Sequence, residues 1–450
     1  MNREPDPSGV RTSRSALTDE GLRDGDDGVV FQMTTPSKGS GRSPTAAGVR
    51  ALPGGIWAIG FVSLFMDISS ELIHSLLPVF MVTSLGASMI TVGLVEGIAE
   101  ATAAIVKVFS GAISDYLRKR KLLAGIGYGL GAITKPIFPL ADTVGWVFTG
   151  RFIDRIGKGI RGAPRDALVA DLAPRELRGA AYGLRQSLDS VGSFVGPLLA
   201  LALMAWLACE IRTVLWIGVI PAFAAVALLM FWVREPERTK KESGGRSALT
   251  IADVRRLPLR YWLVVSLGAV FTLARFSEAF LLLRAADVGL ALAYVPLMLV
   301  VMNVVYALTA YPAGVAADRL NQRALLIVGL TMLVAADLVL AVNTSRLTVL
   351  IGAALWGLHM GLTQGVFAKL VADSGPAELR GTAFGIFNLV GGGAVLLASV
   401  VAGALWSAFG APATFLSGAG FATLAVLGLL AYRGGPRPTP RDSRRGSVAT

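Results

Sequence analysis

Two stretches of the chain decide its fold: VADLAPRELRGAAYGL at residues 169–184 and VADSGPAELRGTAFGI at residues 371–386. Ten of their sixteen positions are identical, and they lie 202 residues apart (371 − 169). A second pair, GAISD at residues 111–115 and GVAAD at residues 314–318, repeats at an offset of 203 (314 − 111). Two separate segments that recur at nearly one spacing indicate that the chain consists of two homologous halves.

The composition places these halves in a membrane. Of the 450 residues, 54% are hydrophobic and only 16% are charged, whereas soluble domains carry about 25% charged residues. Long apolar stretches recur along the chain, and a helix needs about 20 such residues to cross the bilayer core. The sequence therefore predicts an all-α, polytopic membrane protein with about twelve transmembrane helices. The stretches begin near Ile56, Ile90, Lys121, Val144, Gly179, Val214, Tyr261, Leu292, Ala324, Leu347, Gly381 and Pro412.

The net charge of +12 is concentrated in alternate loops. Basic residues crowd the segments 118–121 and 234–256, whereas residues 84–89 carry no charge. This is the positive-inside pattern, and it predicts that both termini and the central loop lie in the cytoplasm. The expected location is the cytoplasmic (inner) membrane of the cell. A protein that binds nucleic acid would gather its charge on one solvated domain, so we expect no nucleic-acid partner.

The domain organisation follows from the repeat and the loops. An even number of spans in each half makes the repeats parallel, related by an axis along the membrane normal, with a site between them near the midplane. The polar ends of the chain lack the apolar residues needed for a core. We expect residues 1–53 to form a disordered cytoplasmic tail, 54–233 an N-terminal six-helix bundle, 234–258 a cytoplasmic central loop, 259–433 a C-terminal six-helix bundle and 434–450 a second disordered tail.

The loop after the second predicted span matches a known signature, G-x-x-x-D-R-x-G-R/K-R/K, although Tyr116 and Arg118 depart from it. With the internal repeat, this signature makes residues 54–433 resemble the major facilitator superfamily. The resemblance implies two parallel six-helix repeats, alternating access, a monomer, and a gating role for the loop residues. A structural ion pair that only fixes topology is the alternative to gating. The matching positions are Gly111, Asp115, Lys119 and Arg120 in the first half and Gly314, Asp318, Arg319 and Arg323 in the second.

Two further motifs extend the resemblance. The arginine of the superfamily's helix-four motif falls on Arg151, to which the resemblance assigns a role in proton coupling. The helix-five motif of antiporters, G-x-x-x-G-P-x-x-G-G, is matched at Gly192, Gly196 and Pro197. Alanine and leucine replace its last two glycines, so the antiporter pattern is only half present. The partial match leans towards efflux.

Charged residues inside the predicted spans mark the candidate site. Asp67, Glu71 and His74 are spaced i, i+4, i+7, so they fall on one face of the first helix. One such charge costs about 2.5–3.5 kcal/mol at the centre of a membrane helix, so this face requires a wet cavity, a partner or a proton. A satisfied polar cluster that locks the first helix to its neighbours is the alternative. The other candidates for the central cavity and proton coupling are Glu96, Glu100, Arg151, Asp154, Arg155, Arg275 and Glu278.

Helix spacing suggests partners for some of these charges. Asp154 can pair with Arg151 or Lys158 on its own helix, while Arg155 faces elsewhere, with Glu71 of the first span and Glu100 of the second as its candidate partners. The second half has fewer ionisable groups and offers neutral candidates for substrate contact, although a lone polar residue in a membrane often only joins two helices. These candidates are Asn303, Tyr306, Trp356, His359, Gln364 and Asn388.

Together these features predict a proton-coupled secondary transporter that moves a small solute across the lipid bilayer; they leave the direction open between efflux, towards which the helix-five motif leans, and uptake. Mixed charges near the midplane leave open the uptake of a charged or zwitterionic solute with protons. A non-transporting receptor or scaffold is the alternative of another class. We expect neither an enzyme nor a cofactor, because two histidines and one cysteine leave little for a metal centre, and the sequence has no G-x-x-x-x-G-K-[ST] phosphate loop.

Overall fold

The computed structural model describes residues 52–117, 119–174, 177–235, 254, 256–319, 321–342, 344–374 and 379–431. Residues 1–51 of the expected N-terminal tail, the whole of the expected C-terminal tail and most of the expected central loop lie outside these residues. The described chain is helical and contains no strand. Its helices are α1 (Gly54–Thr83), α2 (Met89–Leu117), α3 (Arg120–Thr134), α4 (Ile137–Leu140), α5 (Val144–Leu172), α6 (Arg178–Trp206), α7 (Ile211–Trp232), α8 (Leu259–Leu273), α9 (Ala279–Asp287), α10 (Leu297–Arg319), α11 (Gln322–Val342), α12 (Arg346–Ser374), α13 (Arg380–Phe409) and α14 (Ala411–Ala431), with a 3-10 turn at Leu292–Tyr294.

These helices make twelve crossings within the described chain. Two pairs, α3 with α4 and α8 with α9, each share one crossing, so the fourteen helices give 14 − 2 = 12 crossings. Six crossings fall in Gly54–Trp232 and six in Leu259–Ala431. The prediction of an all-α membrane protein with about twelve spans in two halves is confirmed.

Three of the crossings differ from ordinary membrane helices. Nine of the described helices are long and apolar enough to cross a bilayer. Of the other three crossings, α3–α4 and α8–α9 are interrupted, and α5 carries a run of charged residues from Arg151 to Arg161. Broken or charged helices are tolerated in a membrane only where they are buried in protein or line a water-filled cavity. These three crossings therefore indicate where the functional site lies.

The internal repeat is visible in the packing at the end of each half. Lys121 Nζ donates to the carbonyl oxygen of Met230 at 2.9 Å, which ties the start of α3 to the end of α7. Arg323, 202 residues later (323 − 121), donates through Nη2 to the carbonyl oxygen of Leu430 at the end of α14. The same type of side chain thus closes each six-helix bundle in the same way.

The two halves meet along α2 and α13, which pack at close range. A side chain added at Gly93 would collide with the carbonyl oxygen of Ser399, and one at Gly403 would lie 2.5 Å from the carbonyl oxygen of Met89. Small residues let membrane helices approach this closely. The contacts start where α2 begins and α13 ends, so they lie at the end of the bundle opposite to the repeated loops.

Two further contacts close the same end of the interface. Helix α9 packs against α1, and α6 packs against α10 and the 3-10 turn. Asn303 Nδ2 of α10 donates to the carbonyl oxygen of Ser193 of α6 at 3.1 Å. The structure is therefore a conformation in which the halves are joined at the end where α1 finishes and α2 starts.

We expect Gly93→Ala to weaken this closure. The added methyl group would lie 3.0 Å from the Ser399 carbonyl carbon, and overpacking costs about 1–3 kcal/mol, enough to change a two-state ratio at least about fivefold. Spin labels on exposed Ser84 and Phe409, one on each half, would report the change as a longer-distance population.

The matched control is Gly391→Ala, on α13, where an added Cβ meets no atom within 4 Å. It removes a helical glycine without a clash, so the distance distribution should stay unchanged. Equal responses of the two variants would contradict the close packing at Gly93.

Candidate functional site

A cavity of about 310 Å³ lies between the two halves. The described residues around it come from α1, α2 and α5 of the first half and from the α8–α9 break, α12 and α13 of the second. Phe276 and Trp356 form an aromatic part of its wall. The ionisable residues that line it are Glu71, His74, Glu100, Arg155, Lys158, Arg275 and Glu278.

A buried ion pair borders the cavity. Arg151 of α5 binds Glu96 of α2 through two hydrogen bonds, Nε to Oε1 at 3.1 Å and Nη2 to Oε2 at 2.5 Å. Arg151 Nη2 also lies 2.8 Å from His74 Nδ1 of α1. A guanidinium group only donates hydrogen bonds, so His74 Nδ1 accepts here. The arginine singled out by the resemblance thus joins three helices, and His74 connects it to the cavity.

A second buried pair was not foreseen. Asp154 of α5 does not pair with Arg151 or Lys158, as the spacing had suggested, but binds Lys135 Nζ through Oδ1 at 3.0 Å, while its Oδ2 lies 4.0 Å from Arg155 Nε. Lys135 also donates to Ser70 Oγ at 3.0 Å and is only 2% exposed. The sequence analysis did not single it out, although it is a charged residue directly before Pro136 within the third apolar stretch. In the structure it is the point at which the third crossing breaks between α3 and α4.

The remaining charged candidates of the first half lie either in the cavity wall or on the side of α1 that faces α6. Arg155 Nη1 lies 3.3 Å from Glu100 Oε1, so the prediction that Arg155 pairs with a carboxylate of the first or second span is confirmed. Asp67 is turned away from the cavity towards Asp189 of α6. Glu71 keeps its place in the cavity wall.

The matched positions of the helix-five motif lie directly behind Asp67 and Glu71. A Cβ at Gly192 would be 2.9 Å from Asp67 Cβ, and a Cβ at Gly196 would be 2.8 Å from Glu71 Cβ. Pro197 follows inside α6. The two glycines therefore allow α6 to lie against the charged face of α1.

The break between α8 and α9 supplies the second half's charges. Residues 274–278 leave the helix, and Ser277 N–H donates to Ser399 Oγ of α13 at 3.2 Å instead. Arg275 and Glu278 line the cavity from this break. The Arg275 guanidinium carbon lies 5.7 Å from the centre of the Phe271 ring.

Of the neutral candidates in the second half, the structure places only Trp356 in the cavity wall. Tyr306 donates to Gln364 Oε1 at 3.1 Å, and both line a separate pocket of about 150 Å³ between α10 and α12. His359 is fully buried with Nδ1 3.2 Å from the Gly329 carbonyl oxygen. Asn303 joins the two halves as described above, and Asn388 is half-buried on α13.

The proposed gating residues are described only in part. The side chains of Asp115, Asp318 and Arg319, and the surroundings of Gly111, lie outside the described residues. Lys119 is exposed just before α3. Arg120 binds Asp171 Oδ2 at 2.5 Å and, through its backbone N–H, Glu235 Oε1 at 2.7 Å. These contacts join the ends of three crossings of the first half. Arg323 makes the contact to α14 given above.

Gly314, the motif glycine of the second half, has open space beside it among the described residues. A Cβ added there would meet no atom within 4 Å. Gly314 instead lines the small pocket between α10 and α12.

The repeat reveals a difference between the halves at one buried position. With the 202-residue offset, Lys135 corresponds to Asp337 of α11 and Asp154 corresponds to Trp356 of α12. Asp337 is fully buried, and neither of its carboxyl oxygens has a hydrogen-bond partner among the described residues. Trp356 Nε1 likewise has none in that part of the chain. An ion pair in the first half is thus replaced by a lone carboxyl group in the second.

Known proteins resemble this chain in sequence and in fold. The sequence profile of the Major Facilitator Superfamily matches residues 59–285 and again residues 279–449. An uncharacterised MFS-type transporter of Methanocaldococcus jannaschii is 30% identical over 85% of this chain and 95% of its own length. The uncharacterised protein Rv2265 of Mycobacterium tuberculosis is 29% identical over 76% of this chain and 85% of its own. A crystal structure of the nucleoside transporter NupG superposes with a TM-score of 0.70 at 13% identity, over 84% of this chain and 99% of that one.

We expect opposite outcomes for substitutions at the two equivalent positions. Lys135→Met leaves Asp154 as a buried charge without its partner, which costs about 3–5 kcal/mol. Asp337→Asn removes no ion pair and keeps the shape of the side chain. Thermal unfolding in detergent should therefore show a large fall in midpoint for Lys135→Met and little change for Asp337→Asn.

The double variant Lys135→Met/Asp154→Leu tests the cause. Replacing a whole buried pair by apolar residues is often neutral or stabilising, so the midpoint should recover. A double variant as unstable as Lys135→Met would show that packing, and not the uncompensated charge, sets the loss.

Proposed function

The chain belongs to the major facilitator superfamily and is a multi-pass membrane transporter, not an enzyme; from this premise we propose that it moves a small solute by proton-coupled alternating access. The central cavity is the transport site in this proposal. The observation that carries it is the placement of this cavity between the two repeats, with acidic and basic groups contributed by both. A site shared between two rigid halves is what rocking of those halves can expose to each side in turn.

The conformation fits one step of that cycle. We propose that the termini and the basic loops face the cytoplasm of a cell with the protein in its cytoplasmic membrane, as the charge of the loops indicates. In that orientation the α2–α13 contacts close the outer end, and the protein is inward-facing. The signature residues Asp115, Asp318 and Arg319 would then act at the inner end, where the halves close in the other state.

Two carboxyl groups are the proposed proton carriers. Glu71 of the first half and Glu278 of the second both line the cavity, and neither has an ion-pair partner within 4.0 Å among the described residues. The other cavity carboxylate, Glu100, is held by Arg155. An unpaired charge is costly in a membrane interior, so these two groups gain most from taking up a proton or a cation when the cavity closes.

The Glu96–Arg151 pair is the proposed link between proton binding and helix movement. It joins α2 and α5, and its third partner, His74, lies in the cavity wall. Protonation of His74 Nδ1 would remove the acceptor that Arg151 uses. A change of charge in the cavity can therefore alter the contact that holds α1 to α2 and α5.

We favour efflux by exchange with protons over uptake. Protons and a cationic group of the solute would compete for Glu71 and Glu278, and competition for one site in opposite states of the protein produces exchange. The partial helix-five motif at Gly192, Gly196 and Pro197 leans the same way. Uptake of a charged or zwitterionic solute together with protons is the second arrangement.

The test is transport into liposomes that contain the purified protein and a pH-sensitive dye. An imposed pH gradient should drive flux of at least one member of a panel of amino acids, sugars, nucleosides and organic cations. The sign of the dye response separates exchange from cotransport. We expect Glu71→Gln to abolish flux driven by the pH gradient, while solute exchange without a gradient persists at a reduced rate because Glu278 still binds the cationic group.

Glu210→Gln is the matched control, because Glu210 is an exposed carboxyl group at the start of α7, away from the cavity. It should transport as the unmodified protein does. Full gradient-driven flux in Glu71→Gln would contradict the assignment of proton coupling to this residue.

A further inference from the structure

We propose that the central cavity selects a zwitterionic solute, one that carries a positive and a negative group on a small body. Its cationic group would bind between Glu71 and Glu278, and its anionic group between Lys158 and Arg275. This inference rests on the proposed function, because it takes the cavity as the transport site.

The pairing of charges in and around the cavity identifies the groups that are left for a ligand. Three pairs are satisfied within the protein: Arg151 with Glu96, Lys135 with Asp154, and Arg155 with Glu100. Four charged residues of the wall have no ion pair within 4.0 Å in the described chain. They are Glu71, Lys158, Arg275 and Glu278.

These four groups are divided evenly by sign and by origin. Glu71 and Lys158 belong to α1 and α5 of the first half, and Arg275 and Glu278 belong to the α8–α9 break of the second. Each half thus offers one free acid and one free base. A solute with a single charge would satisfy one sign and leave the other two groups unpaired.

The acidic side is built from both halves. Glu71 lines the cavity from α1 and Glu278 lines it from the α8–α9 break, so the two halves each bring a carboxylate to the same space. Two like charges that approach when the halves close oppose the closure. An ammonium group between them turns that repulsion into two attractions, so the ligand favours the closed state.

The basic side has the same division. Lys158 lies one turn after Arg155 on α5 and is exposed to the cavity, while Glu100 is already engaged by Arg155. Arg275 stands on the Phe271 ring, and its Nε is buried without a hydrogen-bond partner in the described chain. A guanidinium group has five N–H donors, so a carboxylate or phosphate oxygen can bind the part of Arg275 that lines the cavity.

The size and lining of the cavity limit the rest of the ligand. Its volume of about 310 Å³ is at the lower end of the 300–1,000 Å³ that is typical of ligand pockets. Phe276 and Trp356 give one side of the wall an apolar, aromatic surface. The chemistry therefore fits a free amino acid or a compound of similar size with an apolar side chain.

The test measures binding of matched triads to the purified full-length protein in detergent, by calorimetry. Each triad contains a free amino acid, its methyl ester, which keeps only the positive charge, and its N-acetyl derivative, which keeps only the negative charge. Leucine, phenylalanine, methionine and tryptophan supply the triads. We expect the free form of at least one to bind ten or more times tighter than either blocked form.

Two variants test which residues of the cavity bind the cationic group and which bind the anionic group of the ligand. In Lys158→Gln the free amino acid should bind no tighter than its methyl ester but still tighter than its N-acetyl derivative. In Glu278→Gln the free amino acid should bind no tighter than its N-acetyl derivative but still tighter than its methyl ester. Glu210→Gln and Arg346→Gln, which alter exposed charges outside the cavity, are the controls and should bind as the unmodified protein does.

The outcomes separate this inference from the proposed function. Three results would each overturn the proposal that the cavity selects a zwitterionic solute. The blocked forms could bind as tightly as the free ones, or no member of any triad could bind. In both variants, all three forms could lose the same affinity. If the triads bind as expected but no pH gradient drives their flux in liposomes, the substrate class stands and the proton-coupled function fails. If a singly charged solute is driven instead, the function stands and the class fails.

Discussion

The structure depends on one constraint: a charge inside a membrane bundle needs a partner or water. The chain meets it in the first half by pairing charges between helices, Arg151 with Glu96 and Lys135 with Asp154. Since neither member of a pair can be left alone without a large cost, the pairs fix how α5 stands against α2 and against the break after α3. The charges of the cavity wall without an ion pair within 4.0 Å in the described chain share one space that solvent or a polar solute can fill, whereas Asp337 stays buried in the second half without a partner among the described residues.

The same constraint explains why the irregular crossings surround the site. A straight apolar helix presents no polar group that could bind a polar solute, whereas a break exposes side chains and backbone groups at the midplane. The α8–α9 break delivers Arg275 and Glu278 to the cavity, and the α3–α4 break delivers Lys135 to Asp154. The intact helices α2 and α13 serve the opposite purpose, because their small residues let the two halves touch and part.

Duplication provided the architecture, and divergence of the halves provided the chemistry. Lys121 and Arg323 still close their bundles in the same way, which shows how well the common framework persists. At the midplane the halves differ, with Lys135 and Asp154 standing where the second half has Asp337 and Trp356. The first half thereby holds a network of paired charges, while the second presents an aromatic wall and a single broken crossing to the same cavity.

The sequence by itself determined the helices, their number and the two halves, because apolar length and an internal repeat are properties of the chain read in order. It also found Glu71, Glu100, Arg155, Arg275 and Glu278, since a charge within an apolar span is conspicuous wherever it lies. Only the tertiary structure decided the partners. Helical spacing shows which side chains share a face, but the helix opposite that face is chosen by packing. For this reason Asp154 was assigned within its own helix instead of to Lys135, and of the six neutral candidates in the second half only Trp356 reached the cavity wall.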